Sequence, residues 1–327
     1  MMTHRAEYAI RGPVPQDVIA CVEFTLPPLT AGDVLIEVLA SPINPSDVLT
    51  LTGQYGMLPP LPAVGGNEGV GLVVEVSEGV ALRVGQRVVL PLGSGTWASH
   101  VVARADALIP LPDVGDPLQF SMMMVNPPTA SLLLSEFVSL EPGDWVLQNT
   151  ANSAVGRYLI QLARRRGLRT VNVVRRSDAV AGLEAAGGDV VLVDGPDLDV
   201  RVAAATGKAK IRLGIDATGG AATDRVARSL AIGGTVVNYG AMSGEACKVA
   251  PGSFVFRDVT LRGFWLAFWF RKASPERQRA LFTELAPLIA DGTLHAPIHA
   301  TYRLAQIKEA VAAAATGGRD GKIIVVP

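Results

Sequence analysis

Trp145-Val146-Leu147-Gln148-Asn149-Thr150-Ala151-Asn152-Ser153-Ala154-Val155-Gly156 reads as a short apolar strand, a turn of small and polar residues, and the start of a helix. Amide N–H groups exposed at a first helical turn, together with the helix dipole, attract phosphate, and small side chains let the backbone approach it. The stretch therefore predicts a seat for the pyrophosphate of a dinucleotide. Only Gly156 is glycine here; small residues fill the other positions of the usual G-x-G-x-x-G pattern. The next residues predict a helix with Val155, Leu159, Leu162 and Ala163 on an apolar face and Arg157, Gln161, Arg164 and Arg165 on a polar one. A second apolar run, Thr170 to Val174, completes a βαβ unit of the expected size, a pattern that an ordinary crossover without a ligand also fits. Past that strand stand Arg175-Arg176-Ser177, where a binder of NAD usually places an acidic residue on the ribose 2′-hydroxyl. Arginine at this point suits a 2′-phosphate, so the expected cofactor is NADPH.

Outward from this unit the chain changes rhythm. From about residue 5 to 115, strand-like runs (Asp33 to Leu39, Gly69 to Val76, Gln86 to Leu90, Ser99 to Ala103) alternate with Gly, Pro and Asp turns and predict a mostly β domain. From about Asp116, buried strands alternate with helices: Trp145 to Asn149, Thr170 to Val174, Asp189 to Val193, Ile211 to Asp216, Thr235 to Tyr239 and Val259 to Arg262. That order predicts an α/β fold with a doubly wound parallel sheet. Helices at Pro275 to Ala290 and around Leu304 to Ala315, then a strand from Lys322 to Val326, predict a return to the first domain, with substrate expected in a cleft between the two.

The 327 residues carry a formal net charge of -1, which gives no electrostatic reason to expect nucleic acid or an anionic membrane. The most apolar run, Gly263 to Phe270, is too short to span a bilayer. The first residues lack the apolar core of a signal peptide, and a cytoplasmic location is expected. Cys21 and Cys247 cannot assemble a four-cysteine site and are read as packing residues. Of the histidines His4, His100, His295 and His299, only the last two have helical spacing, and Pro297 stands between them. No metal site is expected.

Beyond these patterns, Ser41-Pro42-Ile43-Asn44-Pro45-Ser46-Asp47, Gly53-Gln54-Tyr55-Gly56, Pro62 to Gly71 and Gly93-Ser94-Gly95-Thr96-Trp97 resemble the NADPH-dependent 2-enoyl thioester reductases, zinc-free members of the medium-chain dehydrogenase/reductase superfamily. The likeness continues through Val125-Asn126-Pro127-Pro128-Thr129-Ala130, the turn at Gln148 to Gly156, Gly233-Gly234-Thr235, Tyr239-Gly240-Ala241-Met242 and Leu261 to Leu266. It implies a GroES-like catalytic domain (residues 1–119 and 268–327), a Rossmann domain for NADPH (residues 120–267), and a homodimer. It also implies that Tyr55 is the catalytic residue. The implied cofactor contacts are Asn126, Asn152, Ser153, Ala154, Val155, Arg175, Arg176, Ser177, Tyr239, Gly240, Ala241, Met242, Phe264, Trp265, Leu266, Ala267 and Lys322. Two departures stand out: Ala154 replaces a common glycine, and Arg175-Arg176-Ser177 replaces the more usual Arg-Asp-Arg.

The implied chemistry suits these residues. Hydride addition to Cβ of an enoyl thioester linked to coenzyme A or acyl carrier protein leaves charge on the thioester oxygen and Cα. A phenol, with an ordinary pKa of about 10, donates a hydrogen bond to that oxygen or a proton to Cα. Asn67-Glu68 and Asn44 to Asp47 stand where zinc-dependent relatives supply ligands, and Glu68 is read as a buried structural carboxylate. Trp265 and Phe268 are candidates for an acyl pocket, Trp269 and Phe270 for an interface, and Arg271 and Lys272 either for phosphate contact or for a solvated pair. Reduction of quinones or small enones on the same scaffold, and a non-catalytic NADPH-binding protein, are the competing readings.

Overall fold

A computed structural model describes residues 3–327. The chain divides into two units: residues up to Asn126 together with Arg279–Pro327, and Pro127–Gln278. The first unit opens with eight strands: β1 (Thr3–Tyr8), β2 (Ala20–Phe24), β3 (Asp33–Pro42), β4 (Ala63–Val64), β5 (Val70–Val76), β6 (Arg87–Val89), β7 (His100–Arg104) and β8 (Ile109–Pro110). Six form the second unit: β9 (Trp145–Gln148), β10 (Arg169–Val174), β11 (Val190–Val193), β12 (Leu213–Asp216), β13 (Thr235–Asn238) and β14 (Thr260–Gly263). Two more, β15 (Ile298–Arg303) and β16 (Lys322–Val326), return to the first.

In the first unit β2-β1-β4 form a small antiparallel sheet. A larger sheet runs β15-β16-β3-β5-β6-β8, with β7 paired to β3. Strand β3 buries Val34, Ile36 and Val38 at a period of two and packs them with Val73, Val88 and Leu90. Its last residues pair antiparallel with β16, Pro42 opposite Ile324 and Ser41 opposite Val325, and the Ile43 amide donates to the Ile323 carbonyl at 2.9 Å. The returning chain thereby delivers Lys322 to the segment that begins at Asn44. Tyr8, Ile43, Leu51 and Trp97 pack there with Ile307, Val311 and Ile323.

The second unit is one parallel sheet in the order β11-β10-β9-β12-β13-β14. Leu147, Val171, Val173 and Val236 are buried in it, as strands covered on both faces require. Each such side chain contributes roughly 1.5–3 kcal/mol relative to exposure. Chain order reverses between β9 and β12, and the turn after β9 lies at this switch point, where open α/β sheets place ligands.

Two expectations need correction. Arg157, assigned to the polar face of the helix Ala154–Arg165, is buried, and its Nη1 donates to the Gly182 carbonyl at 3.3 Å. The helix Val180–Ala185 covers that face, so a cation there is held by a carbonyl instead of water. Cys247 is exposed and packs in no core, whereas Cys21 packs against the cluster around Tyr8. Among the described residues no helix is long and apolar enough to cross a membrane.

Candidate active and dinucleotide sites

The turn after β9 is held by polar side chains on both sides. Gln148 donates from Nε2 to the Gly156 carbonyl (2.9 Å) and to Asn172 Oδ1 (2.8 Å), which ties the strand to the first turn of the helix. Asn149 donates to Asp216 Oδ1 at 2.6 Å and accepts from the Ala217 amide at 2.8 Å, joining β9 to the end of β12. Buried Asp216 also accepts from the Thr218 and Gly219 amides, Thr223 Oγ1 and Asn238 Nδ2. Thr150 takes the left-handed conformation (φ 51°) that reverses the chain. Ala154 does not, so its side chain is accommodated at ordinary helical geometry.

Ser153 caps the helix, accepting from the Gly156 amide at 3.1 Å. The amides of Ala154 and Val155 precede any intrahelical acceptor and bond to no backbone carbonyl among the described residues. A Cβ on Gly156 would collide with the Ala151 carbonyl, so the close packing of the helix on the preceding turn requires glycine. Tyr239, immediately after β13, hydrogen-bonds Ser153 through its side chain, and burial pushes its phenol above the ordinary tyrosine range. The Tyr239 amide donates to the Asp216 carbonyl, the Met242 amide to that of Ala217 and the Phe264 amide to that of Asn238. Gly240 and Ala241 lie between the first two, and Asn152 is partly exposed.

Beyond β10, Arg176 Nε pairs with Asp178 Oδ1 at 3.0 Å. Arg175 and Ser177 are exposed, and Arg175 makes no ion pair among the described residues. Trp265 precedes the helix Leu266–Lys272, whose Leu266 is buried and Ala267 partly so.

In the first unit, Asn44 and Asp47 open the helix Pro45–Leu51. Asp47 accepts from the Asn44 amide (2.7 Å), the Asn67 amide (3.1 Å) and Asn67 Nδ2 (2.7 Å). Asn44 Nδ2 donates to Glu68 Oε1 at 2.7 Å, while Asn44 Oδ1 accepts from Lys322 Nζ and from Asn126 Nδ2. Glu68 further accepts from Asn126 Nδ2 at 3.0 Å and from the Val125 amide at 2.9 Å, as the structural role read for it requires. The structure thus joins Asn126 and Lys322, 196 positions apart in the chain, through one amide that sequence reasoning had not singled out for this role. Burial pushes Asp47 up to about 6 and drives Glu68 upward and Lys322 downward; the Lys322 charge restrains both carboxyls.

Tyr55 lies just beyond the helix Pro45–Leu51, partly buried. Its amide and that of Gln54 both donate to the Leu49 carbonyl, at 3.1 and 2.8 Å, which fixes the loop that carries the phenol.

An α/β unit with strand order 3-2-1-4-5-6, preceded and followed by a β-rich unit holding a tyrosine loop, is the architecture of the medium-chain dehydrogenases/reductases. Residues 30–113 match the alcohol dehydrogenase GroES-like domain and residues 186–325 the zinc-binding dehydrogenase family. The chain is 38% identical over 311 residues to the mitochondrial enoyl-[acyl-carrier-protein] reductase of Rattus norvegicus, covering 91% of this chain and 82% of the relative. It belongs to the enoyl-[acyl-carrier-protein] reductase family of this superfamily. Among solved structures, a Bacillus thuringiensis protein provisionally designated NADPH:quinone reductase is 30% identical with a TM-score of 0.91, covering 100% of this chain and 99% of its own. The complex of Etr1p, of the Candida tropicalis 2-enoyl thioester reductase, with NADP and crotonyl-CoA is 24% identical with a TM-score of 0.90, covering 100% of both chains.

The zinc of the second family's name does not fit these residues. At the positions the resemblance gives to zinc ligands, Asn44 and Glu68 have their side-chain acceptors engaged by Asn126, Val125 and the Lys322 ammonium, and Asn67 donates to Asp47. Among the described residues no three His, Cys, Asp or Glu converge on a metal position.

Proposed function

We propose that this chain reduces trans-2-enoyl thioesters with NADPH, and membership of the enoyl-[acyl-carrier-protein] reductase family carries the reading. Among the described residues the amides of Ala154 and Val155 at a helix N-terminus meet no backbone acceptor, which suits a pyrophosphate, and Arg175 meets no carboxylate, which suits a 2′-phosphate. Asn152, Ser153, Arg176, Ser177, Tyr239, Gly240, Ala241, Met242, Phe264, Trp265, Leu266 and Ala267 complete the second unit's contribution. Asn126 and Lys322 are the first unit's. Bound NADPH supplies the hydride that reaches Cβ.

Tyr55 is the charge-handling group. Its O–H donates a hydrogen bond to the thioester oxygen as negative charge builds there, or passes its proton to Cα. Neither role needs a metal, because the charge is spread over oxygen and carbon. The Lys322 ammonium, which donates to Asn44 Oδ1 in the field of the Glu68 and Asp47 carboxyls, supplies a positive charge in the same unit.

We also propose a homodimer. Among the described residues strand β14 pairs only with β13, which leaves a sheet edge, and Val255 and Phe256, a few residues before it in the chain, are exposed at 71% and 81%. Light scattering tests that state.

The activity is tested by steady-state oxidation of NADPH and NADH against enoyl-CoAs of increasing length and one naphthoquinone. Faster turnover of an enoyl-CoA with NADPH is the expected result. Faster turnover of the quinone favours the reading shared with the Bacillus thuringiensis protein, and binding of NADPH with no turnover contradicts both.

A further inference from the structure

Resting on the reductase reading with Tyr55 as its charge-handling group, we propose that Arg11 is the positioning residue of the Tyr55 loop, stapling residues 52–59 at both ends. At the near end the Gly12 amide, next to Arg11 in the chain, donates to the Leu51 carbonyl at 3.2 Å, where the helix Pro45–Leu51 stops. At the far end Arg11 Nη2 donates to the Pro59 carbonyl. Between the two, the arginine stem lies against the loop backbone: a Cβ built on Gly53, which takes φ 77°, would stand 3.4 Å from Arg11 Cδ.

Residues 56–61 have little else to hold them. Pro59 and Pro60 carry no amide N–H, and among the described residues the bond from Arg11 is the only hydrogen bond that reaches this stretch. Met57, Leu58 and Leu61 are exposed, so burial contributes little. The arginine, in turn, is not committed to an ion pair: among the described residues it meets no carboxylate, its Nε is buried without an acceptor, and its guanidinium lies beside the phenol of buried Tyr8. Burying a guanidinium nitrogen without a partner costs free energy, and such costs are kept mainly where a segment must be held for function. Here the segment carries a phenol that has to meet charge developing on a thioester oxygen, which demands placement to within roughly half an ångström. The Leu49 carbonyl fixes the backbone of Tyr55 from the helix side, and Arg11 fixes the return of the loop from the other.

The test combines turnover of crotonyl-CoA with amide hydrogen exchange. Arg11→Met lowers kcat about ten-fold and leaves KM for NADPH unchanged. Arg11→Lys, whose ammonium can donate to the same carbonyl, recovers most of the rate, and Arg11→Met adds no further loss when Tyr55→Phe is already present. In Arg11→Met the protection of the Gln54 and Tyr55 amides falls about ten-fold while that of the β3 amides is kept. Equal losses of kcat in the two backgrounds, unchanged protection of the Gln54 and Tyr55 amides, or a loss of protection shared with β3 overturns the proposal. Failure of the unaltered protein to turn over crotonyl-CoA overturns the reductase reading instead, and the exchange result then decides the staple by itself.

Discussion

The two units each bury a polar cluster, and the clusters are built in opposite ways. Around Asp216 in the second unit, one carboxylate collects amide and hydroxyl donors from Asn149, Thr218, Gly219, Thr223 and Asn238. Around Glu68 in the first, two carboxyls and an ammonium share three asparagines, and every charge is shifted against its ordinary ionisation. The first arrangement fixes backbone, setting the end of β12 against the turn at Asn149. The second holds two carboxyls and a lysine together in one buried cluster. A buried ion cluster is not a source of net stability, but removal of one partner leaves the other charged and uncompensated.

That contrast predicts the order of mutational effects. Lys322→Met leaves Glu68 and Asp47 without their cation and costs about 3–5 kcal/mol in urea unfolding, most of it recovered when Glu68→Gln is added. A cost below about 1 kcal/mol would place the cluster in contact with water. Gly156→Ala acts sterically in the other unit, since the new Cβ meets the Ala151 carbonyl. It costs roughly 1–3 kcal/mol of stability and weakens dinucleotide binding, whereas Ala154→Gly changes binding little.

The charged cluster also has a pH signature. Asp47 titrates near 6 when folded against about 4 unfolded, so its protonated form is the one the fold favours. Its stabilising contribution is full below pH 4 and is lost as pH rises through 6. Relative to Asp47→Asn, the unaltered protein therefore loses about 2–3 kcal/mol between pH 4 and 7. A pH-independent difference in chemical denaturation contradicts the buried cluster. The smallest effect is expected at the surface: Arg175→Ala raises KM for NADPH about ten-fold and leaves that for NADH unchanged.

Much of this was legible along the chain. The helix Pro275–Ala290 and the strand Lys322–Val326 fall where periodicity puts them. Strand β3 runs on to Pro42, past the predicted Leu39, because β16 pairs with Ser41 and Pro42. A partner that arrives from the far end of the sequence leaves no local pattern. Asn44 was hidden for the same reason: its bonds to Asn126 and Lys322 exist only after the chain returns. Arg157 was misassigned because helical spacing identifies faces but not the element that will cover them. The turn at Gln148 to Gly156 was readable because its requirements are local: a strand, small residues and a helix start.

The proposed role of Tyr55 ties its hydroxyl to NADPH-dependent reduction of an enoyl thioester. It is tested most directly by NADPH oxidation with crotonyl-CoA in the unaltered protein and in Tyr55→Phe. Turnover is expected to fall by about 10²–10⁴-fold on loss of the hydroxyl, with NADPH affinity unchanged. Equal rates in the two proteins would contradict it.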